Sequence, residues 1–400
     1  MKILLSGANC LLGKCLVEKL FRDGHMLVIV GRETTNLARI FPEMRVYHYD
    51  DLDIAMADVN WVLHLDSKKE TEGGLDSEYF DANVVLLQKV LDAAKAAKVK
   101  RFINFTSIHA LSSFGTGAYL DSRRQGVEIV KSAEAREYEN LFLPPVYGSE
   151  WSGRLGMLNK LPKPVSKILF PFMAALKPTV HVDKVLSAIV QKPKLAPDQD
   201  WILTDGQESN WTYRIFMRVV DLAFCASIVL LLFWALVIVW VSVRLTSPGP
   251  ALFTQDRVGR DGKVFKCWKF RTMYLDTPQT GTHNVGKNST TKIGRILRGT
   301  KIDELPQIKN ILFGEMSLIG PRPCLPSQET LVSLRRDQGV LDVKPGISGL
   351  AQVRNVDMSM PQVLANLDER YVKTRGIVLD IKLILATALG KGQGDVIKAN

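Results

Sequence analysis

The sequence is poor in cysteine, and the few cysteines that it has fall into no functional pattern. Its 400 residues contain five, at positions 10, 15, 225, 267 and 324. Five is an odd number without metal-ligand spacing, so the sequence indicates neither a disulfide framework nor a cysteine-based metal site, and we expect reduced thiols in the cytosol. A cleavable signal peptide is also not recognisable, because the chain opens directly on a strand-like segment, Lys2-Ile-Leu-Leu-Ser6.

The second half of the chain is short of acidic residues. Residues 1–205 hold 26 Lys and Arg against 25 Asp and Glu, whereas residues 206–400 hold 26 against 16. The net charge of +11 therefore arises almost wholly after residue 205. This asymmetry favours an anionic lipid or a phosphorylated substrate, with an inert basic surface as the alternative. We expect no nucleic-acid partner, because the sequence shows no recognised nucleic-acid-binding motif.

The first residues have the pattern of a dinucleotide-binding turn. A short apolar strand, Ile3–Leu5, runs through Gly7 and Gly13 into a helical pattern that ends near Arg22, and a second strand follows at Met26–Val30. Gly7 permits a tight turn, and Gly13 permits close packing of the helix on the strand, so that the helix N-terminus could receive a pyrophosphate. Further alternation, at 61–65, 83–97 and 101–105, predicts a doubly wound parallel sheet.

This half resembles the extended short-chain dehydrogenase/reductases, which include nucleotide-sugar epimerases, dehydratases and reductases. The matching features are Gly7 and Gly13, His64-Leu65, Asn83, Thr106-Ser107, Tyr119 with a basic residue four positions later, Pro145-Val-Tyr-Gly148 and His181-Val-Asp183. The resemblance implies that Ser107 polarises a carbonyl, that Tyr119 is the acid/base and that Arg123 replaces the usual lysine. Cys10 stands where the family has a middle glycine.

The same resemblance implies a nicotinamide cofactor, NADP(H) or NAD(H), with Gly7, Gly13, Arg32 and Asn83 as its binding residues. Arg32 could meet a 2′-phosphate and so favours NADP(H), although a solvated turn residue is the alternative. We expect the domain to reduce or epimerise a nucleotide sugar. The alternative is a catalytically inactive domain that serves binding, dimerisation (a possible homodimer) or regulation, because fold does not imply activity.

A long stretch without charge, Leu222–Val243, follows the first half. Its 22 residues, at about 1.5 Å each, are enough to cross a bilayer. Arginines flank both ends, with Arg214 and Arg218 before and Arg244 after, and the positive-inside rule then places both ends in the cytosol. We therefore predict a re-entrant helix, although the stretch contains no proline or glycine to break it.

Two adjacent carboxylates, Asp303 and Glu304, lie in the run Asp303-Glu-Leu-Pro-Gln307, shortly before Gly320-Pro-Arg-Pro323. The spacing from Thr300 to Asp303 predicts a capping box that would put both acids at a helix N-terminus. One acid could then attack a phosphorus atom while the other holds Mg²⁺. Four basic residues could neutralise a diphosphate, namely Lys269, Arg271, Arg298 and Arg322. The alternative is that the acids merely cap a helix.

Residues 215–390 resemble the bacterial sugar transferase family, small monotopic polyprenyl-phosphate phosphoglycosyl transferases. The matching motifs are Thr246-Ser-Pro-Gly-Pro250, Lys269-Phe-Arg-Thr-Met273, Asp303-Glu-Leu-Pro-Gln307, Met316-Ser-Leu-Ile-Gly-Pro-Arg-Pro323, Lys344-Pro-Gly-Ile-Ser-Gly-Leu-Ala-Gln352 and Leu379-Asp380-Ile-Lys382. The resemblance implies that Asp303 attacks the β-phosphate of a UDP-sugar and expels UMP, and that undecaprenyl phosphate then accepts the phosphosugar. Glu304 would bind Mg²⁺, and Lys269, Arg298, Arg322 and Asp380 would lie around the phosphates.

We therefore expect an α/β protein with three parts. Residues 1–205 form a Rossmann-like domain, 206–250 a linker with a membrane-embedded re-entrant helix, and 251–400 a small α-rich α+β transferase domain. The expected location is the cytoplasmic face of a bacterial inner membrane, in contact with its lipids, in glycoconjugate synthesis. A third hypothesis, an oxidoreductase whose second half is only an anchor, does not explain the acidic pair and its arginines.

Overall fold

The computed structural model describes residues 1–68, 73, 75–112, 114–133, 137–191, 195, 199–275, 277 and 289–392. The chain forms two compact units. The first comprises Met1–Met173 and Pro178–Asp205, and the second comprises Ala174–Lys177 and Gly206–Asn400.

The first unit is built on a seven-stranded sheet in which all pairs are parallel. Its strands are β1 (Lys2–Ser6), β2 (Met26–Val30), β3 (Arg45–Tyr47), β4 (Trp61–His64), β5 (Arg101–Ser107), β6 (Tyr138–Leu143) and β9 (Trp201–Ile202), in the spatial order β3-β2-β1-β4-β5-β6-β9. Two short strands, β7 (Val146–Tyr147) and β8 (Val180–His181), pair separately. The order reverses next to β1, which places the topological switch point at the Gly7 turn.

Helices cover both faces of this sheet. The helices that begin in this unit are α1 (Leu11–Arg22), α2 (Thr34–Ile40), α3 (Leu52–Ala55), α4 (Asp76–Phe80), α5 (Leu86–Ala96), α6 (Ala118–Lys131), α7 (Lys163–Leu176) and α8 (Val182–Val190), of which α7 has no residue in the core clusters around the sheet. Ile3 and Leu5 of β1 pack against α1 and α8, whereas Leu4 packs against α3 and α5. Because neighbouring side chains of the strand enter opposite cores, the predicted doubly wound fold is confirmed.

The second unit begins with a 36-residue helix, α9 (Trp211–Thr246), and continues with a smaller α+β arrangement. Its strands are β10 (Leu252–Val258) and β11 (Val264–Phe270), which form an antiparallel hairpin, and β12 (Ser317–Ile319) and β13 (Gly346–Ser348), which are parallel. Its helices are α10 (Lys292–Gly299), α11 (Ile308–Leu312), α12 (Glu329–Asp337), α13 (Leu350–Val353), α14 (Pro361–Thr374) and α15 (Ile377–Ala388).

Helix α9 is long and apolar enough to cross a membrane. The re-entrant bend that we predicted from the sequence is not present in it. It continues without interruption through the fully described stretch 211–246, consistent with the lack of proline and glycine in its apolar part. Most of its middle is exposed; Leu230, Leu231 and Trp234 are between 76% and 82% accessible. The helix therefore presents its apolar surface without a re-entrant bend.

Both ends of α9 pack within the second unit. Near its start, Tyr213, Met217, Asp221 and Cys225 are buried at intervals of four residues, as expected for one helix face. Near its end, Val243 packs with Ala251, Phe270 and Leu297. The helix is therefore part of this unit's core at both ends.

Polar contacts fix the first part of α9. The buried Asp221 carboxylate accepts hydrogen bonds from Ser317 Oγ at 2.9 Å and from the Leu318 amide at 2.8 Å. Arg218 donates to the carbonyls of Ile311 and Leu312 at 2.7 and 2.8 Å. Since a buried carboxylate and the end of a helix both need such partners, these bonds fix α9 relative to β12 and α11.

Candidate active site

The two adjacent acids lie on a 3₁₀ turn, Ile302–Gln307, between α10 and α11. The predicted capping box is wrong. Thr300 ends α10, and its hydroxyl donates backwards to the Ile296 carbonyl at 3.0 Å. Lys301 then adopts a left-handed conformation with φ of 58°, which reverses the chain direction before Asp303. The spacing was ambiguous because a threonine can bond to the turn before it as well as to the turn after it.

Glu304 is held between two cations. Its carboxylate accepts hydrogen bonds from Lys269 Nζ and from Arg322 Nη2, both at 2.7 Å. The three side chains are between 14% and 17% exposed. Burial alone would favour the protonated acid, but Arg322 and Lys269 outweigh it and hold the pKa of Glu304 well below its usual range. Glu304 is therefore an ionised group that holds the two cations in position.

Asp303 has the opposite electrostatic environment. It is 8% exposed, and none of the described residues donates a hydrogen bond to its carboxylate. Burial, followed by the negative charge of Glu304, raises the pKa of Asp303 to about 6, against the opposing effect of Lys269, Arg298 and Arg322. A carboxylate that is buried, uncapped and close to its pKa is a stronger base and nucleophile than an exposed one.

Buried polar groups position the residues around this pair. Asn310 of α11 accepts a hydrogen bond from the Trp268 amide at 3.1 Å and donates to the Lys266 carbonyl at 2.8 Å, which fixes α11 against the strand that carries Lys269. Arg335 donates to the Arg322 carbonyl at 2.8 Å and is itself paired with Asp368 at 2.6 Å. Asn310 and Arg335 were not predicted from the sequence, and Asp368 was matched only as part of the family's tail pattern Asp368…Tyr371, because only tertiary contacts reveal the partners of these side chains.

Two predicted phosphate-binding residues have other partners in the structure. Arg271 donates to the Ser247 carbonyl at 2.8 Å and to the Pro248 carbonyl at 2.5 Å, so its guanidinium holds the loop after α9. Asp380 is fully buried and accepts hydrogen bonds from Tyr213 at 2.6 Å and Tyr371 at 2.9 Å, and burial raises its pKa to about 6. Both predictions are corrected, because the side chains are occupied within the fold.

Arg298, in contrast, stays near the acids. Its Nε donates to Thr272 Oγ1 at 2.9 Å, and its charge lowers the pKa of Asp303. The structure therefore brings together Asp303, Glu304, Lys269, Arg298 and Arg322, out of the seven residues predicted for the transferase site.

A cavity of about 320 Å³ adjoins this cluster. Glu304 and Arg322 form part of its polar lining, while Phe224 and Leu232 of α9 contribute apolar side chains. Gln352, which closes the Lys344–Gln352 motif, also lines it, and among the described residues neither its side-chain nitrogen nor its oxygen has a hydrogen-bond partner. A buried amide without partners is costly, so Gln352 is a candidate ligand-binding residue that the sequence analysis quoted without assigning a role.

The site does not hold enough protein ligands for a metal ion by itself. In the part of the chain that the structure describes, no group of three His, Cys, Asp or Glu side chains could hold one. Mg²⁺ in phosphoryl-transfer sites, however, is usually held by one or two carboxylates together with substrate phosphates. The adjacent carboxylates of Asp303 and Glu304 fit such a shared ion.

In the first unit, the Gly7 turn has the backbone geometry of a dinucleotide site. Gly7 has a φ of +70°, and a Cβ at this position would lie 2.5 Å from the Asp66 amide nitrogen. A Cβ on Gly13 would lie 2.6 Å from the Ala8 carbonyl oxygen. Both glycines are therefore required for the turn, as predicted. However, Cys10 Sγ accepts a hydrogen bond from the Gly13 amide at 3.3 Å, so a side chain already caps this helix.

An acidic residue lies beside the same turn. The Asp66 carboxylate accepts hydrogen bonds from Tyr49 Oη at 2.7 Å and from Arg32 Nη2 at 3.3 Å. Arg32, which we expected to meet a 2′-phosphate, therefore pairs with Asp66 instead. A 2′-phosphate beside Arg32 would meet the Asp66 carboxylate as well, and like charges repel strongly where burial limits screening. These side chains therefore do not favour a 2′-phosphate at this position.

The expected catalytic residues of the first unit are also engaged by their neighbours. Arg123 is 7% exposed, donates to Ser67 Oγ at 3.0 Å and lies 5.5 Å from the centre of the Tyr119 ring. Ser107 accepts a hydrogen bond from the His109 amide at 3.2 Å. Asn83 lies in a π-helical segment, where its side-chain oxygen accepts a hydrogen bond from the backbone amide of Lys68 at 3.0 Å. Arg123 thus contributes to a structural network around residues 67 and 68.

Comparison with known protein families agrees with this division. A family model described as bacterial sugar transferase matches residues 212–391. A second model, described as the NAD dependent epimerase/dehydratase family, matches residues 3–123. The second match supports a nicotinamide dinucleotide as a candidate ligand of the first unit.

Individual relatives match the second unit. A Caulobacter vibrioides protein named UDP-glucose:undecaprenyl-phosphate glucose-1-phosphate transferase is 37% identical over 181 residues, which cover 42% of this chain and 67% of the relative. A Klebsiella pneumoniae protein of the same name is 38% identical over 190 residues, covering 44% of this chain and 40% of the relative. The chain thus spans two thirds of the first relative and two fifths of the second.

Two further similarities complete the comparison. A Bacillus subtilis protein named uncharacterized sugar transferase EpsL is 36% identical over 178 residues, which cover 43% of this chain and 85% of that protein. The solved structure of a UDP-glucuronic acid 4-epimerase from Bacillus cereus in complex with NAD covers 51% of this chain at 16% identity, with a TM-score of 0.41 and 77% of the epimerase covered. By these matches, the chain belongs to the bacterial sugar transferase family and carries an N-terminal domain of the NAD-dependent epimerase/dehydratase type.

Proposed function

We propose that the second unit transfers a sugar 1-phosphate from a UDP-sugar to undecaprenyl phosphate through a covalent intermediate on Asp303. The observation that carries the proposal is the contrast between the two acids. Glu304 is fixed and ionised between Lys269 and Arg322, whereas Asp303 is buried, uncapped and raised in pKa. Such a separation of roles between neighbouring carboxylates is typical of groups with different chemical functions.

In the first step, a carboxylate oxygen of Asp303 attacks the β-phosphorus of the donor. A bond forms between this oxygen and phosphorus, the bond from phosphorus to the bridging oxygen breaks, and UMP leaves with that oxygen. Lys269, Arg298 and Arg322 surround the acids, so they can neutralise charge on the phosphates as it redistributes. Glu304 would hold Mg²⁺ together with the donor's phosphate oxygens, and this ion would supply further charge neutralisation.

In the second step, an oxygen of undecaprenyl phosphate attacks the same phosphorus, and the bond to Asp303 breaks. The products are a diphosphate-linked lipid sugar and a free Asp303 carboxylate. The cavity supports access of a lipid acceptor to this site, because apolar side chains of α9 line it together with Glu304 and Arg322. We propose that the Gln352 amide, which has no partner among the described residues, binds the donor, since it offers an NH2 donor group beside a carbonyl acceptor.

We further propose that the unit lies on the cytoplasmic face of the membrane, with α9 inserted but not spanning. A perpendicular crossing requires about 20 residues surrounded by lipid. Buried contacts at Cys225 and Val243 bracket the exposed part of α9, and Leu232 between them lines the cavity. The rest of the second unit therefore contacts α9 before, within and after its exposed part. These contacts leave too short a stretch for lipid to surround completely, which favours insertion from one side of the membrane even without a bend. UDP-sugars are cytosolic, which favours the cytoplasmic side.

For the first unit we favour a binding or regulatory role over redox chemistry or epimerisation. The specific observations are the Cys10 cap, the Asp66 carboxylate beside the Gly7 turn and the Arg123 guanidinium bound to Ser67. Catalytic conversion of the nucleotide sugar remains the second candidate function, supported by the family match over residues 3–123.

The covalent intermediate can be detected directly. Full-length protein incubated with UDP-glucose, UDP-galactose or UDP-N-acetylgalactosamine, without lipid acceptor, should gain the mass of one sugar phosphate with one of these donors and release UMP. Asp303→Asn should gain no mass, whereas Asp261→Asn, an exposed control in the β10–β11 hairpin, should react normally. Intact-protein mass spectrometry is the measurement.

The stability of the Asp303→Asn variant shows whether a loss of reaction reflects misfolding. A folded-state pKa above the ordinary value means that ionisation of Asp303 destabilises the fold above about pH 6. Asp303→Asn should therefore melt at or above the wild-type temperature at pH 8. Adduct formation by a well-folded Asp303→Asn variant would refute the nucleophile assignment.

The rate of adduct formation should depend on pH through Asp303. Only the carboxylate can attack, so the single-turnover rate should fall as the pH drops through about 6, the pKa of Asp303. Glu304→Gln removes a negative charge that raises this pKa, so the residual rate should keep its acidic limb but at lower pH. Glu329→Gln, on the exposed surface of α12, serves as the control. An acidic limb at the same pH in Glu304→Gln would show that another group controls it.

One-sided insertion predicts that both chain termini face the cytosol. Epitope tags at residues 1 and 400 should both resist protease in intact spheroplasts and both be cleaved in inverted membrane vesicles. If the two tags behave oppositely, α9 spans the membrane.

The first unit should bind dinucleotides poorly. Isothermal titration with NADH and NADPH should give no saturable binding to the wild-type protein below the millimolar range. Cys10→Gly with Asp66→Ala frees the Gly13 amide and removes the negative charge, and affinity should rise by at least about tenfold, or about 1.4 kcal/mol. Micromolar binding by the wild type would instead support the redox or epimerase function.

A further inference from the structure

Helix α7 of the epimerase-type domain exposes an apolar face. Its five large exposed apolar side chains have accessibilities between 40% and 67%, namely Val165, Ile168, Leu169, Phe172 and Leu176. At 3.6 residues per turn they fall within about 100° of arc. On the opposite side of the helix, Ala174 is buried. An amphipathic helix normally turns its apolar face to the core. In α7, by contrast, the face that carries the large apolar side chains points away from the protein.

Two further apolar side chains before the helix, Met157 and Leu161, are 59% and 39% exposed. Soluble proteins seldom expose a large apolar helix face unless it binds something.

The charge of this segment is of one sign. Residues 151–182 contain no Asp or Glu and five cations, Arg154, Lys160, Lys163, Lys167 and Lys177. Lys160, Lys163 and Lys167 are all exposed. Two copies of this face brought together would therefore repel each other, whereas a negatively charged surface would attract it.

The end of α7 adjoins the start of the apolar helix α9. Residues Ala174–Lys177 belong to the second unit, where Ala175 packs with Tyr213 and Met217 of α9. The surface of α9 at this level is also apolar, since Trp211 and Ile215 are 53% and 57% exposed. Apolar side chains are therefore exposed at this end of the second unit as well.

We propose that α7 is an in-plane membrane-binding helix, whose apolar face enters the interface of a bilayer that contains anionic lipid. Interfacial helices of this type combine bulky apolar residues with lysines whose long side chains reach the headgroups. Lys163 and Lys167 would interact with the lipid phosphates, and Ile168 and Phe172 would enter the acyl boundary. The epimerase-type domain would thereby make its own contact with the membrane. The proposal rests on the proposed function only in that membrane attachment of the chain brings a bilayer within reach of α7.

Lipid quenching in the full-length protein tests the proposal. In a Cys10→Ser and Cys15→Ser background, which removes the two partly exposed thiols, single cysteines replace Ile168, Phe172, Ile54 or Leu230 and carry an environment-sensitive fluorophore. The protein is reconstituted into phosphatidylcholine vesicles with phosphatidylglycerol, with and without bromine on the acyl chains. Ile54, 64% exposed on α3, is the matched control.

Brominated lipid should quench the probes at positions 168 and 172 at least about half as strongly as the probe at 230 in α9, and should leave the probe at 54 unchanged. Lys163→Glu with Lys167→Glu should weaken quenching at 168 and 172, and so should omission of phosphatidylglycerol. Quenching at 230 but not at 168 or 172 overturns the proposal for α7 and leaves α9 inserted. Loss of quenching at all positions shows that α9 does not insert, and also counts against α7.

A second copy of the chain is the competing occupant. Its signature would be emission at position 168 that is shifted to the blue without bromine quenching, together with energy transfer between differently labelled copies. That result would also overturn the proposal.

Discussion

The ion-pair cluster of Glu304 with Lys269 and Arg322 is the interaction on which the transferase site depends. It joins the 3₁₀ turn, the β10–β11 hairpin and the loop after β12 through one buried carboxylate. Removing any one member would leave the others charged and poorly solvated, so the three elements stabilise one another's positions. It also sets the environment of Asp303, whose charge is opposed by Glu304 and supported by the cations. The contacts that hold the three elements together are therefore also the ones that set the charge state of Asp303.

Much of this architecture could be predicted from the sequence. The Gly7 turn, the helix ending at Arg22 and the strand Met26–Val30 follow from local periodicity and glycine placement, and they agree with the structure. The acidic pair stood out because its neighbours are basic. The capping box failed because Thr300 has two possible backbone partners, and Arg271 and Asp380 failed because motif membership does not show which tertiary partner a side chain takes. Asn310 and Asp66 could not be assigned without coordinates.

The first unit illustrates that the backbone of a fold and the side chains around its binding turn have to be examined separately. Backbone features that a dinucleotide needs, the left-handed Gly7 and the close approach at Gly13, are still required here for packing. The side chains around them form hydrogen bonds within the protein. Cys10 accepts one from the turn, Asp66 accepts one from Tyr49, and Arg123 donates one to Ser67. A glycine turn is therefore evidence for a topology, and ligand binding has to be argued from the side chains around it.

The burial of Tyr213, Asp221 and Val243 has a practical consequence for anyone who wants a water-soluble version of this enzyme. In many membrane-attached proteins the hydrophobic anchor can be deleted and the remainder purified intact. Here deletion of α9 would strip partners from Asp380, Ser317 and Phe270 at once, leaving gaps and unpaired charge throughout the catalytic unit. The apolar surface proposed to meet lipid and contacts that hold the fold together belong to the same helix, so a water-soluble version must come from redesigning the exposed side of α9, not from truncation.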